Sequence, residues 1–105
     1  MKSEAVFLTK EDTLSVILPS EIDHHAAKPI RERMDTKLFE YSPKVLIMDF
    51  SAVSFMDSSG IGLILGRAAK AEQIGAKVNV IGLCTSLRRL ICMSGMERIA
   101  NIEIK

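Results

Sequence analysis

A short polar loop passes into a helix at Phe55-Met56-Asp57-Ser58-Ser59-Gly60-Ile61-Gly62, and the predicted fold is arranged around this point. Upstream, Val45-Leu46-Ile47-Met48-Asp49-Phe50 predicts a buried strand, because four consecutive apolar residues leave no polar face for water. Downstream, apolar residues recur at helical spacing, so one stripe of the helix faces the sheet: Ile61, Ile64, Leu65 and Ala68. The polar loop is therefore expected at the end of the sheet.

Either Asp57 or Ser58 is expected to cap this helix, because each side chain can accept a hydrogen bond from a backbone N–H that the first turn leaves unpaired. Ser58 then stands exposed near the positive end of the helix dipole. A phosphate on Ser58 adds about −1.5 to −2 charge where the fold tolerates it, but this charge faces any protein docked on the loop. We therefore predict a phosphorylation switch at Ser58, with simple capping as the alternative interpretation.

The composition predicts a single globular domain over residues 1–105. The chain is 48% hydrophobic, and at this length it buries about two-thirds of the surface of its unfolded form without help from a disulfide or a metal. Its net charge of +1 argues against nucleic-acid binding, which usually requires a concentrated basic surface. The aromatic content of 5%, with no Trp, also argues against a base-stacking surface.

The sequence carries no signal for export, membrane insertion or metal binding. The N-terminal apolar run is too short for a signal peptide or a membrane span, so we expect a cytoplasmic protein. Cys84 and Cys92 lack Cys-x-x-Cys spacing and are expected to be free, mostly buried thiols, since a reducing compartment keeps thiols apart. His24 and His25 are adjacent and point about 100° apart on a helix, so we expect no metal and no cofactor.

The N-terminal half predicts a hairpin followed by an amphipathic helix. Two strand-like runs, Ala5-Val6-Phe7-Leu8 and Leu14-Ser15-Val16-Ile17-Leu18, flank the charged turn Lys10-Glu11-Asp12. Asp23 is expected to cap a helix that runs to about Phe39. The apolar face of this helix is expected to comprise Ala26, Ala27, Ile30, Met34, Leu38 and Phe39. Its charged residues are interpreted as a solvated face: Lys28, Arg31, Glu32, Asp35 and Lys37.

The C-terminal half predicts the remaining elements of an α/β fold with a mixed sheet. The helix from about Ser58 should end near Gly75, with four polar side chains directed outward: Arg67, Lys70, Glu72 and Gln73. Its three internal glycines indicate either close packing on the sheet or the approach of a partner backbone: Gly60, Gly62 and Gly66. Lys77-Val78-Asn79-Val80-Ile81-Gly82 predicts a strand parallel to its predecessor. A short helix over residues 86–93 and a last strand at the sheet edge follow, the strand marked by Ile99, Ile102 and Ile104.

Enzymatic interpretations lack the residues that their chemistry requires. A serine hydrolase elbow needs Gly two residues before the nucleophile, and Met56 or Asp57 stands there instead. A phosphorelay receiver needs an early acidic pair for Mg²⁺ beside an acceptor such as Asp49 or Asp57, but Glu11-Asp12 lies in a turn. The chain also lacks the phosphate-binding loop of NTPases. We therefore expect a substrate of phosphorylation and not an enzyme.

Three segments resemble the STAS-domain anti-sigma factor antagonists, above all the sporulation branch, whose members antagonise the anti-sigma F factor. They are Glu21-Ile22-Asp23-His24-His25-Ala26-Ala27, residues 54–67 with Asp57-Ser58-Ser59-Gly60 at their centre, and Leu90-Ile91-Cys92-Met93-Ser94-Gly95-Met96. The similarity spans nearly the whole chain. It implies a single STAS domain, in which helices pack on a mixed sheet made of an N-terminal hairpin and parallel strands.

The resemblance also implies a mechanism of partner switching. The unphosphorylated antagonist binds an anti-sigma factor that is itself a serine kinase, and this frees the sigma factor. The kinase phosphorylates the antagonist with ATP, the complex separates, and a PP2C-type phosphatase restores the antagonist. On the matching motif the phosphoacceptor is Ser58, within a partner-binding surface that comprises Asp23, Asp57, Ser58, Ser59 and Gly62. We expect no nucleic-acid or membrane partner, and a monomer or weak dimer.

The chain departs from the family pattern in two places. Ser20 stands where the family usually has Gly, which is expected to stiffen or shift the loop beside Asp23. Relatives usually add a C-terminal helix after the last strand, and its absence here would leave an apolar strip for a partner or a second copy to cover. The alternative function is a STAS module that binds a nucleotide or another small ligand within a larger signalling or transport assembly.

Overall fold

The computed structural model describes residues 4–105, and within this range strands and helices alternate in the manner of an α/β fold. The elements are, in chain order, β1 (Val6–Lys10), β2 (Thr13–Ile17), β3 (Glu21–Ile22), α1 (His24–Tyr41), β4 (Val45–Asp49), β5 (Phe55–Met56), α2 (Ser58–Gln73), β6 (Lys77–Ile81), α3 (Thr85–Ser94) and β7 (Ile102–Ile104). A single 3₁₀ turn at Met96–Arg98 precedes β7. No helix in the described part of the chain is both long enough and apolar enough to span a membrane.

The main sheet has the strand order β1-β2-β4-β6-β7. The pair β1–β2 is antiparallel, which confirms the predicted hairpin, and β2–β4, β4–β6 and β6–β7 are parallel. Parallel neighbours require a crossover, and the helices α1 and α2 supply the crossovers on either side of β4. The last strand lies at the sheet edge, as predicted. The predicted fold class, an α/β domain with a mixed sheet, is confirmed.

The core lies on one face of this sheet. Alternate residues of β2, β4 and β6 are fully buried there, with 0% exposure: Leu14, Val16, Leu46, Met48, Val78 and Val80. Buried residues of α1 and α2, among them Met34 and Ile64, belong to the same hydrophobic cluster. The intervening residues of β4, Val45 and Ile47, are only partly buried. The prediction that this strand leaves no face to water was therefore wrong, because the helices cover one side of the sheet more completely than the other.

Several side chains that were predicted to be buried are exposed. Phe39, expected on the apolar face of α1, is 86% exposed, because one residue after the buried Leu38 the helix has turned by about 100°. Leu65 is exposed for the same reason, since Ile64 takes the inward position. Cys84 and Cys92 are free thiols, as predicted, but both are exposed and not buried. The inward side of the short helix α3 is occupied instead by Leu87 and Ile91.

Candidate functional site

Ser58 is the first residue of α2, and its side chain is exposed. Asp57 precedes it with extended backbone angles, φ −97° and ψ −167°, and serves as the N-cap. The Oδ1 atom of Asp57 accepts the backbone N–H of Ser59 at 2.8 Å. Of the two predicted caps, Asp57 is the one that fills the role. The Ser58 hydroxyl is therefore not used to cap its own helix, and it faces the surroundings of the protein.

A small second sheet fixes this loop in place. The two-residue strands β3 and β5 pair in parallel, with Glu21 opposite Phe55 and Ile22 opposite Met56. The backbone N–H of Asp57 donates to the carbonyl oxygen of Ile22 at 3.3 Å. Two residues are too few to show an alternating pattern, which is why the sequence did not reveal these strands.

The same pairing places the beginnings of α1 and α2 side by side. Asp23 follows β3 as Asp57 follows β5, and each is the N-cap of the helix that comes next. Asp23 Oδ1 accepts the backbone N–H of Ala26 at 2.8 Å, so the predicted cap of α1 is confirmed. The two helices also pack against each other along their length. Two positive helix ends and two capping carboxylates thus share one edge of the protein.

Ser20 takes part in holding the loop and does not strain it. Its carbonyl oxygen accepts hydrogen bonds from the backbone N–H of Ser54 at 2.8 Å and of Phe55 at 3.3 Å. The Ser54 hydroxyl donates to the same oxygen at 3.2 Å. Among the described residues, positive φ angles outside glycine occur only at Glu11 and Ser42. A side chain at position 20 is therefore compatible with the backbone beside Asp23.

The three glycines of α2 lie in different surroundings. A Cβ atom on Gly60 would lie 2.1 Å from Cγ of Met56, so close packing against β5 requires glycine there. A Cβ atom on Gly62 or on Gly66 would meet nothing within 4 Å. The first of the two predicted explanations therefore applies to Gly60. The fold itself leaves the other two positions free to carry a side chain.

A groove of about 590 Å³ lies between the N-terminal parts of α1 and α2. Ser59 and Gly62, two of the residues predicted to bind a partner, line it from α2. Its other lining residues are Leu63 of α2 and, from α1, His24, His25, Ala27, Lys28, Pro29 and Arg31. Lys28 and Arg31 were interpreted from the sequence as part of a solvated face, because nothing in the local pattern shows that α2 lies opposite them.

Arg67 was expected to point outward but is only 3% exposed, buried between α1 and α2. Its Nε atom lies 2.8 Å from Oδ1 of Asp35, which is an ion-pair distance, although the two groups are not aligned as a hydrogen bond. Burial lowers the pKa of the Arg67 guanidinium, the Asp35 carboxylate opposes this shift, and the positive charge of Arg31 adds to it. Arg67 follows the buried Leu63 and Ile64 by four and three residues, so helical spacing was the available signal, but the sequence does not reveal the carboxylate that accompanies it.

The other residues considered as phosphate acceptors or metal ligands either make structural hydrogen bonds or lack further metal ligands around them. Asp49 Oδ1 accepts the backbone N–H of Ser51 at 2.9 Å and its hydroxyl at 2.6 Å, so this carboxylate caps the turn after β4. The rings of His24 and His25 meet edge to face, with centroids 5.8 Å apart. Within residues 4–105, no three His, Cys, Asp or Glu side chains are grouped so that they could hold a metal ion.

Comparison with known proteins gives consistent matches over nearly the whole chain. A family profile described as "STAS domain" matches residues 5–104. An anti-sigma F factor antagonist of Paenibacillus polymyxa is 35% identical over 89 residues, which cover 85% of this chain and 76% of that protein.

Two solved structures show the same fold. One is the anti-sigma factor antagonist SpoIIAA in its unphosphorylated form, with a TM-score of 0.73 and 29% identity over 88% of this chain and 83% of that one. The other is the Bacillus cell fate determinant SpoIIAA in the phosphorylated form, with a TM-score of 0.75 and 28% identity over 99% of this chain and 91% of that one. The resemblance noted in the sequence is confirmed, and the chain belongs to the STAS domain family.

Proposed function

We propose that this chain is an anti-sigma factor antagonist that is switched by phosphorylation of Ser58. The observation that carries the proposal is the placement of this serine: its side chain is exposed at the first position of α2, with Asp57 already serving as the cap. Relatives at this level of similarity are named anti-sigma factor antagonists, and SpoIIAA has been solved in both an unphosphorylated and a phosphorylated form. In the proposed cycle the unphosphorylated chain binds an anti-sigma factor and thereby frees a sigma factor.

The anti-sigma factor itself acts as the serine kinase in this proposal. It transfers the γ-phosphoryl group of ATP to the Ser58 oxygen, which loses its proton, and ADP is released. A PP2C-type phosphatase later hydrolyses the phosphoester and returns the free hydroxyl. The chain needs no catalytic group of its own, because it supplies only an accessible hydroxyl on a rigid support.

The position of Ser58 explains why one phosphate can end binding without unfolding the protein. The phosphate adds about −1.5 to −2 charge at the N-terminus of α2, where the helix dipole favours negative charge, so the fold is retained. A partner packed against Ser58 has to bury this charge next to the Asp57 carboxylate or move away from it. Burying an uncompensated charge costs several kcal/mol, and dissociation is therefore favoured.

The partner-binding surface of the proposal consists of Asp23, Asp57, Ser58, Ser59 and Gly62. The paired strands β3 and β5 bring the two aspartates to equivalent places at the starts of neighbouring helices. Ser59 and Gly62 line the groove between these helices. A protein that contacts Ser58 therefore also meets side chains from both helix ends.

The test uses the anti-sigma factor encoded in the same genome, purified and incubated with this chain and ATP. We expect peptide mass spectrometry to locate one phosphate on Ser58. The Ser58→Ala variant should bind the anti-sigma factor and resist release by ATP, whereas Ser58→Asp should bind at least about tenfold more weakly than the wild type. Ser59→Ala is the matched control and should still be phosphorylated. Equal affinity of the Ser58→Asp variant and the wild type would contradict the proposal.

The groove of about 590 Å³ also supports the second candidate function, binding of a nucleotide or another small ligand. This volume falls within the range of small-molecule sites, roughly 300–1,000 Å³. Calorimetric titration of the chain with ATP and with GTP separates the two functions. Binding of either nucleotide, together with unchanged affinity for the anti-sigma factor in the Ser58→Asp variant, would favour the ligand-binding module.

A further inference from the structure

The groove between α1 and α2 carries four basic side chains and no acidic one among its lining residues. His24, Lys28 and Arg31 follow one another at i, i+4 and i+7, so they lie along one face of α1. His25 lies at the same helix end. All four side chains are exposed. The groove is therefore a positively charged surface within reach of a partner that contacts α2.

Within residues 4–105, no ion pair engages the two charged side chains Lys28 and Arg31. The pairs there are Lys44 with Asp12, Arg67 with Asp35, and Lys105 with Glu103. Neither α1 nor α2 has an acidic residue in its first turn. The carboxylates of Asp23 and Asp57 cap the two helix ends, so the positive charge of the groove comes from Lys28 and Arg31.

The half-buried carboxylate of Asp35 is already engaged. Asp35 lies one turn after Arg31 on α1, but its Oδ1 atom contacts the buried Arg67 at 2.8 Å. Burial is the main cause that lowers the pKa of the Arg67 guanidinium; Asp35 opposes the shift, and the positive charge of Arg31 adds a smaller contribution. Because Asp35 is paired with Arg67, it does not form an ion pair with Arg31, whose charge stays available at the groove.

The groove also has room for a chain segment. Gly62 lines it, and a Cβ atom on Gly62 would meet nothing within 4 Å. Glycine in a helix interior costs about 1 kcal/mol relative to alanine, and the packing within this chain does not require it at position 62. The remaining lining, with Ala27, Pro29 and Leu63, is apolar and suits the aliphatic part of an Asp or Glu side chain.

We propose that this groove receives an acidic segment of the protein that docks at Ser58, whose Asp or Glu side chains pair with Lys28 and Arg31. The inference extends the proposed function, because it specifies the chemistry of the partner at the same surface. It also adds a second effect of phosphorylation. Ser59 lines the groove, and Ser58 is its immediate neighbour, with Cα atoms about 3.8 Å apart. A phosphate on Ser58 thus competes with the acidic segment for the same positive charges.

The experiment compares two double variants with the same change in net charge. Lys28→Glu/Arg31→Glu reverses the charges of the groove, and Lys37→Glu/Lys77→Glu reverses two exposed charges that do not line it. Binding of each to the purified anti-sigma factor from the same genome is measured at about 50 and 300 mM salt, which shortens the screening length about 2.5-fold. We expect the groove variant to bind at least about tenfold more weakly at low salt, mainly through slower association, and the control to stay within about twofold of the wild type.

The neutral variant Lys28→Gln/Arg31→Gln controls for misfolding caused by the charge reversal. Its affinity for the anti-sigma factor should also fall, but by less than that of the charge-reversal variant. Circular dichroism of all variants checks that the helices are retained. Equal affinity of the groove variant and the control would overturn the inference, as would tighter binding of the groove variant, which would indicate a basic partner. If the wild type binds ATP or GTP, groove variants that lose this binding but keep wild-type affinity for the anti-sigma factor would also overturn the inference. The proposed function itself is tested separately, by the affinity of the Ser58→Asp variant for the anti-sigma factor, because the groove of that variant is intact.

Discussion

Three alanine substitutions in α2 test whether its glycines serve the fold or a partner. At Gly62 and Gly66 the added Cβ atom meets open space, so each substitution should stabilise the helix by about 0.5–1 kcal/mol through the higher helix propensity of alanine. At Gly60 the Cβ atom would lie 2.1 Å from Cγ and 2.2 Å from Sδ of Met56, whose side chain is only 6% exposed. Both distances are far below those of non-bonded heavy atoms, so the Met56 side chain has to leave its packed position.

The expected magnitudes follow from this geometry. Overpacking a core position typically costs about 1–3 kcal/mol, and the gain in helix propensity at Gly60 offsets about 1 kcal/mol of that cost. Gly60→Ala should therefore be destabilised by up to about 2 kcal/mol, while Gly62→Ala and Gly66→Ala gain stability. For a domain of this size the gain corresponds to a rise in melting temperature of roughly 2–6 °C.

The assay combines urea unfolding with binding to the anti-sigma factor. Gly62 lines the groove and Gly66 does not, so Gly62→Ala should be more stable than the wild type and yet bind more weakly. Gly66→Ala is the matched control, with the same gain in stability and unchanged binding. If Gly62→Ala were less stable than the wild type, the conclusion that a Cβ atom at position 62 meets open space would be refuted. Equal binding of Gly62→Ala and Gly66→Ala would refute the role of this glycine in leaving room for the partner.

The remaining predictions concern a buried ion pair and two exposed thiols. Asp35→Ala leaves the buried guanidinium of Arg67 without its carboxylate and should lower the free energy of unfolding by about 2–4 kcal/mol in urea titrations. Arg67→Met removes the buried charge itself and should cost less; a larger loss than for Asp35→Ala would contradict the argument. Cys84 and Cys92 should both react with maleimide in the folded protein, because both are exposed. A hydrogen bond with the Ser86 side chain lowers the pKa of the Cys84 thiol, so more of it is thiolate at neutral pH, and Cys84 should react first in a mass-spectrometric time course.

The local features of this protein were determined by its sequence alone. Alternating or continuous apolar runs and a charged turn predicted the hairpin and the parallel strands, because strand and turn preferences act over only a few residues. A polar residue before an apolar helical run predicted the cap at Asp23 and narrowed the cap of α2 to Asp57 or Ser58, since capping joins groups two or three residues apart. The exposure of Ser58 followed from the same local argument.

The tertiary structure decided which surfaces meet. Arg67 is buried only because α1 brings Asp35 to it. The two residues are 32 positions apart, and a single sequence does not show that they are in contact. The pairing of β3 with β5 places two helix ends side by side, although each strand is too short to be recognised. In the sequence, Lys28 and Arg31 have the pattern of ordinary solvated residues, and only the structure shows that α2 forms the other wall of their groove. Hydrogen bonds within a turn are local, whereas charge pairing and packing between helices depend on the path of the whole chain.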